Sequence, residues 1–236
     1  MLKIVIFTMV KNEEDIIKEW IEYHGNIFGF NNLCIIDNFS TDNTHEICKE
    51  YISKGILLRQ ETDYKKKGIL TSEYSKSIKC DIFIPLNIDE FICYYDKKNN
   101  SVNKSDIITY LESIFDINYG LHKMKYLIPI KTNNSIGLNK FTHARIKDDK
   151  DNAKTFINCK KVEPNFLFDH GNNVPSTTYI SSKLYLIHYH CRSHDQLVKK
   201  TTANVVGLEN SDCNFEPKLE EEIKDDWTSI ENILLV

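Results

Sequence analysis

The segment Leu86-Asn87-Ile88-Asp89-Glu90-Phe91 sets three oxygen-bearing side chains directly after an apolar run. If that run is a strand, Asn87 and Asp89 are two residues apart and share one face at its end. Hard divalent cations such as Mg²⁺ or Mn²⁺ take oxygen ligands of this kind and keep positions open for phosphate oxygens. The plainer reading of the same residues is a polar strand terminus with Asp89 in a turn. A second cluster is His188-Tyr189-His190, where alternate residues of a strand would turn both imidazoles to one side. His188 could then contact a phosphate-bound metal or serve the structure alone. The pair could also belong to a zinc site, although no thiolate or carboxylate at suitable spacing completes one. Lys65-Lys66-Lys67 reads first as a solvated run, with Lys67 the member that could reach an anion.

These groups need a scaffold, and the first half of the chain supplies a regular one. Leu2–Thr8 is a continuous apolar run rich in β-branched residues, the mark of a strand covered on both faces. Asn12 is placed to cap a helix, with Glu13, Glu14 and Asp15 in its first turn. Ile16, Ile17, Trp20, Ile21, His24, Ile27 and Phe28 then recur at three- and four-residue spacing, and Gly29 is a stop. On this spacing Trp20, Tyr23 and His24 are core residues. Leu33–Ile36 reads as a second strand ending at Asp37-Asn38, followed by a polar turn and a helix to about Lys54. Ile56–Leu58 is a third strand, Ser72–Ile78 a helix, and Asp81–Leu86 a fourth strand with Pro85 marking an irregular end. Strand and helix alternating in this way build a parallel sheet.

Beyond Phe91 the pattern loosens. Ser105–Phe115 reads as a helix, Tyr126–Ile130 and Leu184–His190 as strands, and Ser193–Ala203 as a helix opened by a capping box. Residues 131–153 read as a polar loop, and Glu220–Trp227 as a solvated acidic helix. Open parallel sheets bind ligands at the carboxyl ends of their strands, here Thr8–Glu13, Asp37–Asp42, Asn87–Glu90 and His188–Arg192.

Composition narrows the classes. The 236 residues suit one α/β domain, and 41% hydrophobic residues can fill its core. A formal net charge of −4 with no basic stripe argues against nucleic acid as the partner. Seven cysteines with no CxxC pair argue against a zinc ribbon or a disulfide framework and read as isolated buried thiols in a reducing compartment. The N-terminal apolar run is too short for a signal peptide and no run of 18 apolar residues occurs, so a cytoplasmic protein is expected.

Lys11-Asn12-Glu13-Glu14, then Glu19-Trp20 and Tyr23-His24, then Ile36-Asp37-Asn38 with Ser40, Asp42 and Thr44, resemble the opening of glycosyltransferase family 2 and its family-92-like relatives. Asn87-Ile88-Asp89-Glu90-Phe91 resembles their Asp-x-Asp-Glu-Phe block. His188-Tyr189 with Arg192-Ser193 is similar to their His-Tyr-x-x-Lys-Ser segment, and Lys154-Thr155-Phe156 through Asp169-His170 to the Lys…His segment before it. The resemblance spans roughly residues 2 to 203. It implies a glycosyltransferase-A (nucleotide-diphospho-sugar transferase) fold, a mixed, mainly parallel sheet with helices on both faces. Within it, residues 1–92 would form a nucleotide-sugar-binding half, 93–205 an acceptor-side half and 206–236 a helical tail.

It also implies roles. Thr8, Val10, Asn12, Glu13 and Asp37 would hold the nucleotide. Asp89 would bind Mn²⁺ or Mg²⁺, with Asn87 and Ile88 beside the ribose or a metal-bound water. His188 would be a further metal or diphosphate ligand, while Arg192 would face donor oxygens; Lys67 is a candidate for the same task from its place in the lysine run alone. Asn87 stands where the family has an Asp and Arg192 where it has a Lys, the first removing a charge and the second changing geometry. The implied activity is metal-assisted transfer of a hexose-type unit, with a UDP-sugar favoured, to a glycan or other hydroxyl acceptor. An inverting reaction needs a carboxylate base. Asp169 is preferred, with Glu163, Asp149 and Asp151 as alternatives. A nucleotidyltransferase is disfavoured because Phe7–Glu13 has no glycine to cradle a triphosphate, whereas Asn87 keeps open a non-catalytic binding protein.

Overall fold

The computed structural model describes residues 2–61, 66–129, 143–147, 154–189 and 233–235, giving only the backbone at His143, Arg145, Lys147 and Ile233–Leu235. Its first half runs β1 (Ile4–Val10), α1 (Ile17–Phe28), β2 (Leu33–Asp37), α2 (Thr44–Glu50), β3 (Leu57–Gln60), α3 (Lys67–Ser77) and β4 (Ile82–Leu86). After a reversal come β5 (Glu90–Asp96), β6 (Ser101–Asn103), α4 (Ile107–Ile114), β7 (Leu121–Pro129), β8 (His143–Lys147), β9 (Lys154–Asn158), β10 (Ile180–His188) and β11 (Ile233–Leu235).

β1 shows why its sequence is unbroken apolar: all seven residues are buried. Alternate side chains enter two different cores. Ile4, Ile6 and Val10 pack with Ile17, Trp20 and Ile21 of α1, Cys48 of α2 and Leu111 of α4. Val5, Phe7 and Met9 pack with Tyr74 of α3, Phe83, Ile157 and Phe168. Helices therefore cover both faces, as expected for a strand buried on each side.

The sheet is mixed. β3, β2, β1 and β4 are parallel. β9 joins β4 antiparallel and continues into β7, also antiparallel. β7 carries β10 parallel on its other edge, and β10 pairs antiparallel with β5. β5, β6, β11, β8 and β7 then close back to β10, making a ring of six strands beside the open parallel part. Following these directions, β1, β2, β4, β7 and β10 all point the same way. β5 and β9 begin at the end where the others finish. Pro85 lies past Phe83, where the β9 pairing stops, so its missing N–H costs that ladder nothing.

Several expectations change. Asn12 does not cap α1: it holds a left-handed φ of 56°, and the helix starts at Ile17 after a turn in which Ile16 and Ile17 donate to the Glu13 carbonyl. The 131–153 segment is not all loop, because 143–147 is β8, registered against β7 and β11. Strands β5, β6 and β9 were not legible as strands. In the 206–236 segment, the described residues 233–235 form a strand rather than a helix. The expected helices at Ser193–Ala203 and Glu220–Trp227 lie outside the described residues. Among the described residues, no helix is long and apolar enough to cross a membrane.

Candidate functional site

The carboxyl ends of β4 and β10 and the starts of β5 and β9 meet at one place. The chain leaves β4 at Leu86 and reverses through Asn87–Asp89, the turn closing with Glu90 N–H donating to the Asn87 carbonyl (3.1 Å). Because this is a turn, the strand rule pairing Asn87 with Asp89 fails. Asn87 points to α3, accepting from Lys67 Nζ (2.6 Å) and Asn172 Nδ2 (3.4 Å). Asp89 instead meets β10. The pairing His188 to Glu90, extended by Tyr189 N–H donating to the Asp89 carbonyl (2.9 Å), sets His188 Nε2 3.7 Å from Asp89 Oδ2. Asp89, Glu90 and His188 each bring a ligand atom to within 4.8 Å of the others.

Glu90 is wholly buried and its carboxylate is shared among three elements. Oε2 accepts from the Asn87 amide (2.7 Å) and faces Lys154 Nζ at 3.3 Å, while Oε1 accepts from Tyr126 (3.2 Å). Its backbone carbonyl accepts from Trp20 Nε1 (3.1 Å). Lys154 is buried as deeply, and its ammonium pairs with Glu90 by charge without hydrogen-bond alignment. Lys67 is buried at the start of α3. Loss of water pulls its pKa down to about 7; the nearby Lys154 charge pushes the same way, against Glu90, Asp89 and Asp169. Burial, then the Glu90 charge, raises the Tyr126 hydroxyl, which stays a neutral donor. The Tyr126 ring also lies 5.1 Å from that of His188.

The cluster fits a divalent cation. Two ligands about 2.1 Å from an octahedral ion lie about 3.0 Å apart when adjacent, so a 3.7 Å gap closes with a small side-chain shift. Glu90 is committed to Lys154, Tyr126 and Asn87, which leaves Asp89 and His188 as the pair to hold the ion, with Glu90 supplying charge behind them. Two lysines roughly offset two carboxylates. A cation would bring an excess positive charge able to accept diphosphate.

The other sequence-derived residues divide. Asp169 lies at the rim, exposed, its backbone against Gly68, its carboxylate Oδ1 accepting from the Asn173 amide (2.8 Å). The charge of Asp169 is felt by both Lys67 and Tyr126. Glu163 is exposed and does not join the site. It follows Val162, whose amide bonds Asn158 O, and Asn158 pairs with Ile82 at the opposite end of β4. Ile88 turns its side chain into the apolar core, and so does Val10. Thr8 is wholly buried on β1, its hydroxyl without a hydrogen-bond partner among the described residues.

Asp37 is buried, and its own chain occupies the carboxylate: the Ser40 amide and hydroxyl bond Oδ1, Gln60 donates to Oδ2 (3.0 Å), and His45 Nδ1 stands 2.9 Å from Oδ2 without hydrogen-bond alignment. Asn12 and Glu13 stitch the first loop to the second. The Asn12 amide donates to Ser40 Oγ (2.9 Å), its side chain accepts from the Thr41 amide (2.7 Å), and the Glu13 amide donates to Thr44 Oγ1 (2.7 Å). Arg192, His190, Asp149 and Asp151 lie outside the described residues. Glu90, Lys154, Tyr126 and Asn172 are the participants that sequence reasoning did not assign. Glu90 and Lys154 stood inside the quoted motifs, whereas Tyr126 and Asn172 carried no signal.

No family profile and no curated protein match the sequence. Solved structures do. One is a mannosyltransferase from Pyrobaculum calidifontis in complex with GDP-Man and Mn²⁺ (15% identity, TM-score 0.42, covering 52% of this chain and 35% of that one). Another is TarS from S. aureus (16% identity, TM-score 0.45, 94% and 42%). A third is glucosyl-3-phosphoglycerate synthase from Mycobacterium tuberculosis with Mn²⁺, UDP and glucosyl-3-phosphoglycerate (16% identity, TM-score 0.37, 53% and 44%). This chain thus spans less than half the length of each.

Proposed function

We propose that this chain is a metal-dependent glycosyltransferase of the glycosyltransferase-A type, related to families 2 and 92, moving a hexose-type unit from a nucleotide-diphosphate sugar to a hydroxyl acceptor. The observation that carries the reading is the meeting of Asp89, Glu90 and His188 at the carboxyl ends of β4 and β10, flanked by two buried lysines. Asp89 and His188 would hold Mn²⁺ or Mg²⁺, whose chemistry would be to stabilise charge on the leaving diphosphate. Lys67, at the mouth of α3, is the ammonium best placed to meet a donor oxygen, and Arg192 is assigned the same task from the sequence resemblance. Lys154 and Tyr126 hold the Glu90 carboxylate in place, so that the Asn87–Asp89 turn keeps its shape.

Asp169 is assigned the base of an inverting transfer. Its exposed carboxylate at the rim, beside Lys67, is open to an acceptor hydroxyl. The sequence resemblance favours UDP as the nucleotide. It also assigns residues 1–92 to the donor side and 93–205 to the acceptor side of one domain, while composition and the short N-terminal apolar run favour a cytoplasmic protein without a nucleic-acid partner. With Asp37, Asn12 and Glu13 occupied by their own loops, their part is to shape the nucleotide crevice.

A second reading, a binding protein without turnover, is favoured by Asn87, whose neutral amide accepts from Lys67 where a carboxylate would add charge. Donor turnover separates the two. Purified protein incubated with UDP-, GDP- and dTDP-sugars and Mn²⁺ should release nucleotide diphosphate from one of them, and EDTA should stop the release. Metal-dependent binding of a nucleotide with no release on offering acceptors would establish the second reading instead.

A further inference from the structure

At the end of β4 and β9 far from the candidate site, Cys80 and Cys159 bring their sulfur atoms to 3.4 Å. Cys159 follows the last residue of β9 and its amide donates to the Asp81 carbonyl (2.9 Å), while Cys80 immediately precedes Asp81. Both thiols are only partly buried, unlike Cys34, Cys48 and Cys93, which are enclosed in the apolar cores. A disulfide needs its sulfurs about 2.05 Å apart. Here the two sulfurs already touch, with no atom between them.

We propose that Cys80 and Cys159 form an oxidation site that closes reversibly into an intramolecular disulfide, with a low-molecular-weight disulfide as oxidant. This stands independently of the transferase reading. The two thiols are not equivalent. The shared sulfur–sulfur contact holds the Cys159 pKa below the usual thiol range, while the same contact and burial raise Cys80. Cys159 is therefore the attacking thiolate. It displaces one thiolate from the oxidant and forms a mixed disulfide. Cys80 loses its proton to solvent, attacks the Cys159 sulfur and releases the second thiolate. Two protein thiols are oxidised by two electrons and the oxidant is reduced to two thiols. By contrast, burial lifts Cys34 and Cys48 to about 12 and raises Cys93 as well, leaving them inert.

The bond would tie together two strands that share only the registered pairs Ile82–Asn158 and Phe83–Ile157. β9 carries Lys154 at its other end, so the staple lies on the strand that delivers the Glu90 counter-charge. In a reducing compartment such a bond forms transiently, as redox-responsive disulfides do.

The test is peptide mapping of the reduced full chain after exposure to oxidised glutathione, with remaining thiols blocked before denaturation. The result expected is a dominant cross-linked peptide joining Cys80 and Cys159, lost on adding dithiothreitol, with Cys34, Cys48 and Cys93 recovered as thiols. In Cys80→Ser the reaction should stop at a glutathione adduct on Cys159. Recovery of Cys80 and Cys159 from wild-type protein as thiols, or as separate glutathione adducts, would overturn the proposal.

Discussion

Among single side chains, Glu90 bears the heaviest constraint. Its buried carboxylate faces the equally buried Lys154 and accepts from Tyr126 and the Asn87 amide. A buried ion pair is a poor source of net stability, but removing one partner strands the other charge in a low-dielectric interior. Lys154→Met is therefore expected to cost about 3–5 kcal/mol in urea unfolding. Adding Glu90→Gln to it should recover part of that loss, since the stranded charge goes too. Asp89→Ala acts differently: it should leave the fold intact, abolish Mn²⁺-dependent stabilisation by nucleotide, and lower donor turnover on the order of 10²–10³-fold. Asp89 and His188 were readable from residue type and strand-end position. Tyr126 and Lys154 were not assigned, because 36 and 64 residues separate them from Glu90 and only the register of β7, β9 and β10 brings them together.

Among the elements, α1 and α3 position the site from opposite faces of the sheet. Trp20 and Tyr23 of α1 donate to the carbonyls of Glu90 (3.1 Å) and Ile92 (2.8 Å), fixing the start of β5. Between them His24 is fully buried, with Nδ1 2.9 Å from the Trp20 carbonyl, and burial pulls its pKa down to about 3. The sign follows from the unfolded chain, whose histidine takes up a proton near pH 6.5 while the folded one refuses it. Stability is full above that pH and falls as pH drops toward 3. His24→Gln should flatten that slope in unfolding curves measured from about pH 7 to pH 4.

On α3, a Cβ on Gly68 would meet the Phe168 carbonyl at 2.3 Å. Gly68→Ala should therefore push the 168–172 segment off the helix, destabilising by about 1–3 kcal/mol and reducing turnover through displaced Asp169. Unfolding and rate measurements on the one variant check both effects. The first-half elements were legible because each strand is a continuous apolar run bounded by polar turns. β5, β6, β8 and β9 were not. β6 has three residues, β8 interleaves Lys and Arg with apolar positions, and β9 begins on a buried lysine that reads as loop. The 87–89 turn defeated the strand-face argument because period-two alternation ends where the chain reverses.

Across the whole molecule, strand direction does the assembling. β4 and β10 are far apart in sequence yet end on the same side, while β5 and β9 start there, so the carboxylates, the imidazole and the Lys154 ammonium meet at one end of the sheet, where α3 adds Lys67. A mixed sheet with helices on both faces was expected from the resemblance, whereas the closure of six strands into a ring was not. The most direct test of the account is a thermal-shift titration with nucleotide diphosphates and Mn²⁺, run beside donor turnover, on wild-type and Asp89→Ala protein. The account predicts that one nucleotide stabilises wild-type protein only when Mn²⁺ is present, with slow release from the matching sugar donor, and that Asp89→Ala loses both. Stabilisation by no nucleotide, with or without metal, would contradict it.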